Sequence, residues 1–268
     1  MNDDWPIYLF KKSVLKQRKF KEVSESLGPT EGLHCLDIGG DNGVISYLLR
    51  QRGGSWKSGD LDEQSVHAIQ ALVGSEVYCL HGSDIPFASD EFDRVAIVDF
   101  LEHIPHDAEF MAEVQRVIKP GGLVVVNVPY LKNSLLRRVR IVLGQTDEKH
   151  GHLRPGYTVE SLDQVMGAAF TRQSARTYSK FFSELIDTLI VFAVSKLQKG
   201  ELEQSKKGLF VTGEDLKANQ RMFRAYSLVY PIVWFFAKLD TLLVFSSGYM
   251  LVVTARVNKE RRLLSSPQ

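Results

Sequence analysis

The stretch Cys35-Leu36-Asp37-Ile38-Gly39-Gly40-Asp41-Asn42-Gly43 decides the fold of this 268-residue chain. It joins a short apolar run, residues 33–38, to residues 44–52, where apolar side chains recur at helical spacing. Glycines lack a Cβ, so the backbone between the two runs can turn sharply and come close to a ligand. The stretch therefore predicts a strand, a glycine-rich turn and a helix in direct succession.

The same alternation of strand and helix continues along the chain. The other predicted strands are 55–60, 76–80, 93–99, 123–128, 172–178 and 249–257, and the other predicted helices are 5–27, 63–72, 107–118 and 158–168. The breakers Lys119-Pro120-Gly121-Gly122 are predicted to separate a helix from the fifth strand, and Thr158 is predicted to cap the last helix. Strands that alternate with helices predict an α/β fold with a doubly wound, mostly parallel seven-stranded sheet.

The composition changes after residue 178, where the chain becomes unusually apolar and reads as mostly helical. A helical insertion before the last strand is therefore predicted. The predicted units are an N-terminal helical cap (1–28), a core (29–178 with 246–258), an apolar helical insertion (179–245) and a tail (259–268).

Charge and cysteine content exclude several classes of function. The net formal charge is +1 and no basic, aromatic-rich face is visible, so no nucleic-acid partner is predicted. Cys35 and Cys79 are too few for a disulfide framework or a four-ligand zinc site. The N-terminal residues lack a basic start before an apolar run, and no run of about 20 apolar residues occurs. We therefore expect no signal peptide, no simple membrane span and a cytoplasmic location.

The carboxyl ends of the first two predicted strands hold the candidate cofactor site, because ligands of open α/β sheets bind there. Three glycines let the backbone approach a ligand: Gly39, Gly40 and Gly43. Asp37 can bind a ligand cation or orient the loop. Asp60 ends the second strand about 20 residues after the glycines, a position suited to the ribose hydroxyls of an adenosine, and Leu61 can pack on the adenine.

The glycine spacing distinguishes between two adenosine-containing ligands. A dinucleotide site has the spacing G-x-G-x-x-G and a helix N-terminus free for the pyrophosphate. Here the glycines stand at 39, 40 and 43, with Asp41 inside the loop. A carboxylate in this place repels a diphosphate and suits a cation. The loop therefore predicts S-adenosylmethionine, which carries a sulfonium and an ammonium group, as the cofactor; an ordinary tight turn beside a solvated Asp60 is the alternative.

Further motifs follow the glycine loop in a fixed order. They are Gly59-Asp60-Leu61-Asp62, Gly82-Ser83-Asp84-Ile85-Pro86-Phe87, Leu101-Glu102-His103-Ile104, residues 113–122, and Gly167-Ala168-Ala169-Phe170. With the loop, they resemble the class I S-adenosylmethionine-dependent methyltransferases of the small-molecule, methyltransferase type 11-like kind, over residues 30–175 and the final strand. The resemblance implies a Rossmann-like methyltransferase fold, adenine contacts at Ser83 and Asp84, and Asp99 and Phe100 beside the sulfonium. Glycine is common in that family where Asp41 stands.

The segment after the fourth strand supplies the candidate catalytic groups. In the family that the chain resembles, this segment faces the sulfonium, which makes His103 the first candidate for a general base and Glu102 its orienting or substrate-binding partner. A second candidate is His152 in the sequence His150-Gly151-His152-Leu153-Arg154, where Arg154 can bind an acidic group or stabilise the fold. An architectural role for Glu102 and His103 is the alternative. Nothing in the histidine spacing demands a metal, and none is predicted.

Residues 181–245 contain two apolar stretches separated by a polar one, 196–217. The second stretch is apolar around nearly its whole circumference, which is typical of a helix buried in protein or inserted in lipid. One hypothesis is an anchor that sits peripherally on the inner membrane face over a lipophilic acceptor, helped by basic residues in 11–21 and 137–140. The alternative is a helical subdomain packed on the core or across a homodimer interface.

Taken together, these features predict an S-adenosylmethionine-dependent methyltransferase that acts on a small-molecule or lipid-like acceptor, with transfer to oxygen or carbon favoured. The alternative is a non-catalytic module on the same fold, which binds the cofactor without turnover or binds a membrane or partner through its apolar helices. Asp41 and the short adenine loop keep this alternative open.

Overall fold

The computed structural model describes residues 5–132, 134–142, 151–197, 204–205, 208–209 and 220–259. Its strands are β1 (His34–Ile38), β2 (Ser55–Asp60), β3 (Val77–Cys79), β4 (Phe92–Val98), β5 (Ile118–Pro129), β6 (Phe170–Tyr178), β7 (Gln204–Ser205), β8 (Gly208–Leu209) and β9 (Met250–Val257). Its helices are α1 (Trp5–Lys11), α2 (Val14–Leu27), α3 (Val44–Arg50), α4 (Glu63–Val73), α5 (Asp107–Val117), α6 (Leu135–Val142), α7 (Val159–Met166), α8 (Phe181–Leu197) and α9 (Gln220–Leu239), with 3-10 turns at Leu101–His103 and Asp240–Leu242.

The main sheet has seven strands in the order β3-β2-β1-β4-β5-β9-β6. Strands β1 to β5 pair in parallel, and β9 runs antiparallel to both of its neighbours, β5 and β6. This confirms the predicted doubly wound, mostly parallel sheet of Rossmann-like type. The strand order reverses between β1 and β4, so a crevice opens at the carboxyl ends of these two strands.

Each face of the sheet has its own apolar core. One core joins the sheet to α5 and α7 and contains Phe110, and the other joins it to α2 and contains Val23. Val124 and Val126 of β5 lie in the first core and Val125 lies in the second, and all three are fully buried. The continuous β-branched run in this strand was predicted to be buried on both faces, and it is.

Two predicted boundaries are wrong. The single helix predicted over 5–27 is two helices, because Ser13 adopts an extended backbone and its hydroxyl accepts a hydrogen bond from the Lys16 N–H, which begins a new helix. The residues 119–122 do not form a separate turn. They lie inside β5, which starts directly after α5, and the Lys119 ammonium binds Asp93 at 2.8 Å across the edge of β4. The predicted cap at Thr158 is confirmed, with Ser161 completing a capping box.

Helices α8 and α9 lie between β6 and β9 and contact each other. The Phe182 and Phe236 rings meet with centroids 6.2 Å apart. The Asp240 carboxylate accepts hydrogen bonds from the backbone N–H groups of Lys180 at 2.6 Å and Phe182 at 2.9 Å, so the end of one helix caps the start of the other. Among the residues that the structure describes, none of the helices combines the length and the apolarity that crossing a bilayer requires. Treating 179–245 as a separate unit remains a prediction.

Replacing Asp240 by alanine should lower the free energy of unfolding by about 1–3 kcal/mol, because the first N–H groups of α8 lose their acceptor. Denaturant titration followed by circular dichroism measures this change. Thr241→Ala, at the next and exposed position, is the matched control and should change stability by less than about 0.5 kcal/mol. Equal effects of the two substitutions would contradict the capping role.

Candidate cofactor and acceptor site

A cavity of about 500 Å³ lies at the carboxyl ends of β1 and β4 and extends between the surrounding helices. Its wall combines the glycine loop, the segment after β4, the end of β5, and faces of α2, α6, α8 and α9. This volume is in the usual range for sites that bind small molecules and cofactors. The structure thus places the candidate site at the crevice that the sheet topology indicates.

The glycine loop is held tightly between β4 and α4. Gly39 and Gly43 have φ angles of +94° and +82°. A Cβ on Gly39 would lie 2.1 Å from the Val98 carbonyl oxygen, and one on Gly43 would lie 2.8 Å from the Ile69 Cα. These glycines therefore serve close packing and a left-handed backbone, and Gly39 also reaches the cavity with its neighbour Gly40.

Asp37 orients the loop and does not line the cavity. Its buried carboxylate accepts hydrogen bonds from the Ser46 hydroxyl at 2.5 Å and the Ser58 hydroxyl at 2.7 Å, and it pairs with Arg50 at 3.3 Å. Burial raises the pKa of Asp37, although the charge of Arg50 opposes this. Of the two roles that the sequence allowed, binding a ligand cation or orienting the loop, the contacts match the second.

Asp60 is fully buried and holds the loop from the other side. One carboxylate oxygen accepts the Asp41 N–H at 3.0 Å and the other accepts the Leu61 N–H at 2.7 Å. Leu61 belongs to the apolar core, while Ser83 and Asp84 lie on an outer loop. The structure does not bring these four residues to the cavity wall, so the ribose and adenine contacts assigned to them remain predictions.

Asp99 does line the cavity, at the centre of a polar chain. Lys19 of α2 forms an ion pair with its carboxylate, and the Asn127 side-chain amide Nδ2 donates to it at 2.8 Å. The Tyr178 hydroxyl donates to the side-chain oxygen Oδ1 of Asn127 at 2.5 Å. Burial alone would lower the pKa of Lys19, but Asp99 raises it above its usual value. Phe100, in contrast, is buried in the core against Phe110 and does not reach the cavity.

Glu102, His103 and His152 come together at the cavity wall. One ligand-type atom from each lies within 4.8 Å of the other two, and the histidine rings meet edge to face with centroids 5.0 Å apart. The His103 Nδ1 lies 2.9 Å from the Gly151 carbonyl oxygen. A carboxylate and two imidazoles can serve acid–base chemistry or hold a metal ion. The three predicted catalytic residues are therefore neighbours in space, although His152 lies about 50 residues after the other two in the sequence.

The segment that carries His152 is anchored through Arg154. The Arg154 guanidinium donates to the Ile104 carbonyl at 2.7 Å and to the Tyr157 hydroxyl at 3.0 Å, and it pairs with Asp107. These contacts favour the fold-stabilising role over the binding of an acidic ligand. His150 lies outside the described residues.

Sequence reasoning missed the charged groups that the flanking helices contribute. Asp187 of α8 lines the cavity, where burial raises its pKa while the charge of Arg140 in α6 acts in the opposite direction. In the sequence, Asp187 stands within an apolar stretch and carries no motif, although Glu184 and Ile190 share its helical face at three-residue spacing. Lys16 and Lys19 of α2 also line the cavity, whereas the membrane role predicted for the basic residues of that region remains a prediction.

Residues 36–126 match the family model described as a methyltransferase domain. A ubiquinone biosynthesis O-methyltransferase from Parvibaculum lavamentivorans is 28% identical over 108 residues, which make up 38% of this chain and 43% of that protein. The chain thus spans less than half the length of this curated relative. The residues matched by the family model contain the glycine loop, and helices α6, α8 and α9 lie outside them.

Solved structures with the same fold cover nearly the whole chain. The [4+2]-cyclase SpnF has a TM-score of 0.58 at 16% identity, covering 91% of this chain and 82% of its own. Geranyl diphosphate methyltransferase in complex with SAM has a TM-score of 0.54 at 13% identity, covering 91% and 86%. At these identities the likeness establishes the fold alone.

Replacing Asp187 by asparagine should stabilise the protein at neutral pH. The pKa of this carboxyl is higher in the folded protein than in the unfolded chain, so its ionisation destabilises the folded protein. The loss of stability begins as the pH rises above the pKa in the unfolded chain, about 4, and is complete above the pKa in the folded protein. The gain from Asp187→Asn should therefore be absent at acidic pH and grow as the pH rises. Denaturant titrations across the pH range test this, with the exposed Asp84→Asn as control; a gain independent of pH would be the contrary result.

Proposed function

This chain belongs to the class I S-adenosylmethionine-dependent methyltransferases, and from that premise we propose that it methylates a hydroxyl group of a small amphipathic molecule. The observation that carries the proposal is the continuity of the cavity. One cavity is lined by Gly39 and Gly40, by the Glu102, His103 and His152 cluster, and by Ile190 of α8 and Val233 of α9. A polar acceptor group can thus lie beside the cluster while an apolar tail lies between the last two helices.

The cofactor fits the charge and backbone of the inner end of the cavity. Gly39 and Gly40 present backbone without side chains, and Asp41, Asp99 and Glu102 supply negative charge, which suits a sulfonium cation. S-adenosylmethionine supplies an activated methyl group on its sulfur. Its binding to this loop rests on these features and on the family, and calorimetry with the purified protein measures it directly.

His103 is the residue that we assign as general base. A backbone carbonyl only accepts hydrogen bonds, so the contact with the Gly151 oxygen requires a proton on Nδ1 of His103. In the neutral ring, Nε2 then carries the lone pair that can take the proton of an acceptor hydroxyl. Glu102 and His152, next to this ring, orient the acceptor and stabilise the imidazolium after proton transfer.

An acceptor with an apolar tail agrees with the relative that acts in ubiquinone biosynthesis. It also agrees with the outer surface of the helices that close the cavity. Trp234 and Phe235 of α9 are about half exposed, and Phe245 is fully exposed, while Lys238 lies over the Trp234 ring at 5.3 Å. Exposed aromatic side chains beside a cation are typical of helices that lie in a membrane interface. We propose that this surface contacts a membrane peripherally. The alternative to be tested is that the same residues form a homodimer interface.

Substituting His103 by glutamine should lower kcat by about 10²–10⁴-fold while changing the affinity for S-adenosylmethionine little, because a general base contributes on this scale. Transfer of labelled methyl from the cofactor to phenols and quinols with alkyl tails measures the rate. His67→Gln, on the exposed surface of α4, is the matched control. A kcat within threefold of the wild-type value would contradict the assignment. Cofactor binding without any methylated product in lipid and metabolite extracts would instead favour the non-catalytic module.

Replacing Phe235 and Phe245 together by serine should weaken binding to anionic lipid vesicles by about 100-fold or more, since each aromatic side chain contributes about 1.5–3 kcal/mol when it leaves water. Vesicle flotation measures the bound fraction, and Tyr8→Ser, a half-exposed position on α1, is the control. If the wild-type protein stays with the soluble fraction and elutes as a dimer that the double substitution dissociates, the surface is a homodimer interface and the membrane proposal is wrong.

A further inference from the structure

Lys16 and Asp41 bring opposite charges to the inner end of the cavity from two separate elements. Lys16 lies on α2, and Asp41 lies in the glycine loop with a φ angle of +50°. Both side chains line the cavity beside Gly39 and Gly40. Lys16 is exposed as a whole residue, but burial around its ammonium lowers the pKa of this group, and the charge of Asp41 is the strongest influence in the opposite direction.

Neither group has a direct side-chain partner among the described residues, a property that they share with Arg140 and Asp187 elsewhere in the cavity wall. Lys19 forms an ion pair with Asp99, and Lys132 forms one with Glu184 at 2.8 Å. The Lys16 ammonium makes no hydrogen bond or ion pair in this part of the chain, and Asp41 uses only its backbone N–H, toward Asp60. Lys16 and Asp41 therefore influence each other electrostatically across a gap without being in ion-pair contact.

A positive and a negative group that face the same gap match a ligand with the opposite arrangement of charges. An α-amino acid group has this arrangement, with a carboxylate and an ammonium on one carbon. We propose that Lys16 binds the carboxylate and Asp41 the ammonium of the methionyl end of S-adenosylmethionine, which rests on the proposed function. No bond forms or breaks in this step; two charge-assisted hydrogen bonds replace water.

The proposal gives a reason for the departure of this loop from its family. Glycine is usual where Asp41 stands because the backbone is left-handed there, and aspartate is among the residues that tolerate this conformation. Asp99, another carboxylate at this end, already binds Lys19 and Asn127, and Glu102 belongs to the cluster with His103 and His152. Asp41 is then the carboxylate left for a ligand ammonium, and Lys16 supplies the cation that the added carboxylate would otherwise lack.

Three ligands separate the two halves of the proposed site in calorimetric titrations. S-adenosylmethionine carries both charged groups of the amino acid, decarboxylated S-adenosylmethionine keeps only the ammonium, and 5′-methylthioadenosine has neither. Lys16→Met should weaken the binding of S-adenosylmethionine by about 10–100-fold and leave the affinities for the other two ligands unchanged or higher. Asp41→Asn should weaken the binding of S-adenosylmethionine and of decarboxylated S-adenosylmethionine by a similar factor and leave the affinity for 5′-methylthioadenosine unchanged.

Lys21→Met is the matched control, because Lys21 lies on the same helix but is exposed and pairs with Glu25. It should leave all three affinities unchanged. Circular dichroism first establishes that each variant is folded, so that equal weakening of all three ligands cannot be attributed to a loss of folding. Equal weakening of all ligands by Lys16→Met, or unchanged discrimination between the first two, overturns the proposal. Failure of the wild-type protein to bind any of the three would instead refute the proposed function.

Discussion

The left-handed backbone of the glycine loop is the constraint on which the rest of the site depends. Gly39, Asp41 and Gly43 all have positive φ angles, so the chain reverses within five residues between β1 and α3. The loop keeps this conformation because it is wedged between β4 and α4 and because the Asp60 carboxylate binds the Asp41 N–H. A movement of the loop would displace both the Gly39 and Gly40 backbone and the Asp41 carboxylate in the cavity wall.

The charges around the cavity are paired across elements that are far apart in the sequence. Lys19 of α2 binds Asp99 at the end of β4, and Lys132 after β5 binds Glu184 of α8. Burying such groups costs free energy unless each has a partner, so the pairs fix the helices to the end of the sheet as well as neutralising one another. Lys16, in contrast, lines the cavity without such a partner among the described residues, which leaves its charge available to a ligand.

Helix α9 has two environments, and this links the cavity to the outer surface. Val233 is buried and lines the cavity, whereas Ile232 and Phe235 are about half exposed on the outer side. One helix therefore forms the wall of the proposed acceptor site and an apolar surface at the same time. A lipid-like acceptor gives a single reason for both faces, because its source and its binding site would then be separated by one layer of helix.

The sequence by itself determined the sheet and the location of the site, because strands that alternate with helices and a glycine turn at a strand end depend on neighbours close in the chain. It also named His103 and His152, although not that Gly151 fixes the proton of the first ring. The tertiary structure alone decided which charges face the cavity. Lys19 and Asp99 are 80 residues apart in the sequence. The Asp60 carboxylate accepts the backbone N–H of Asp41 in the loop, although the sequence predicted it to be available to a ligand. Such contacts arise from the packing of distant elements, which no local pattern encodes.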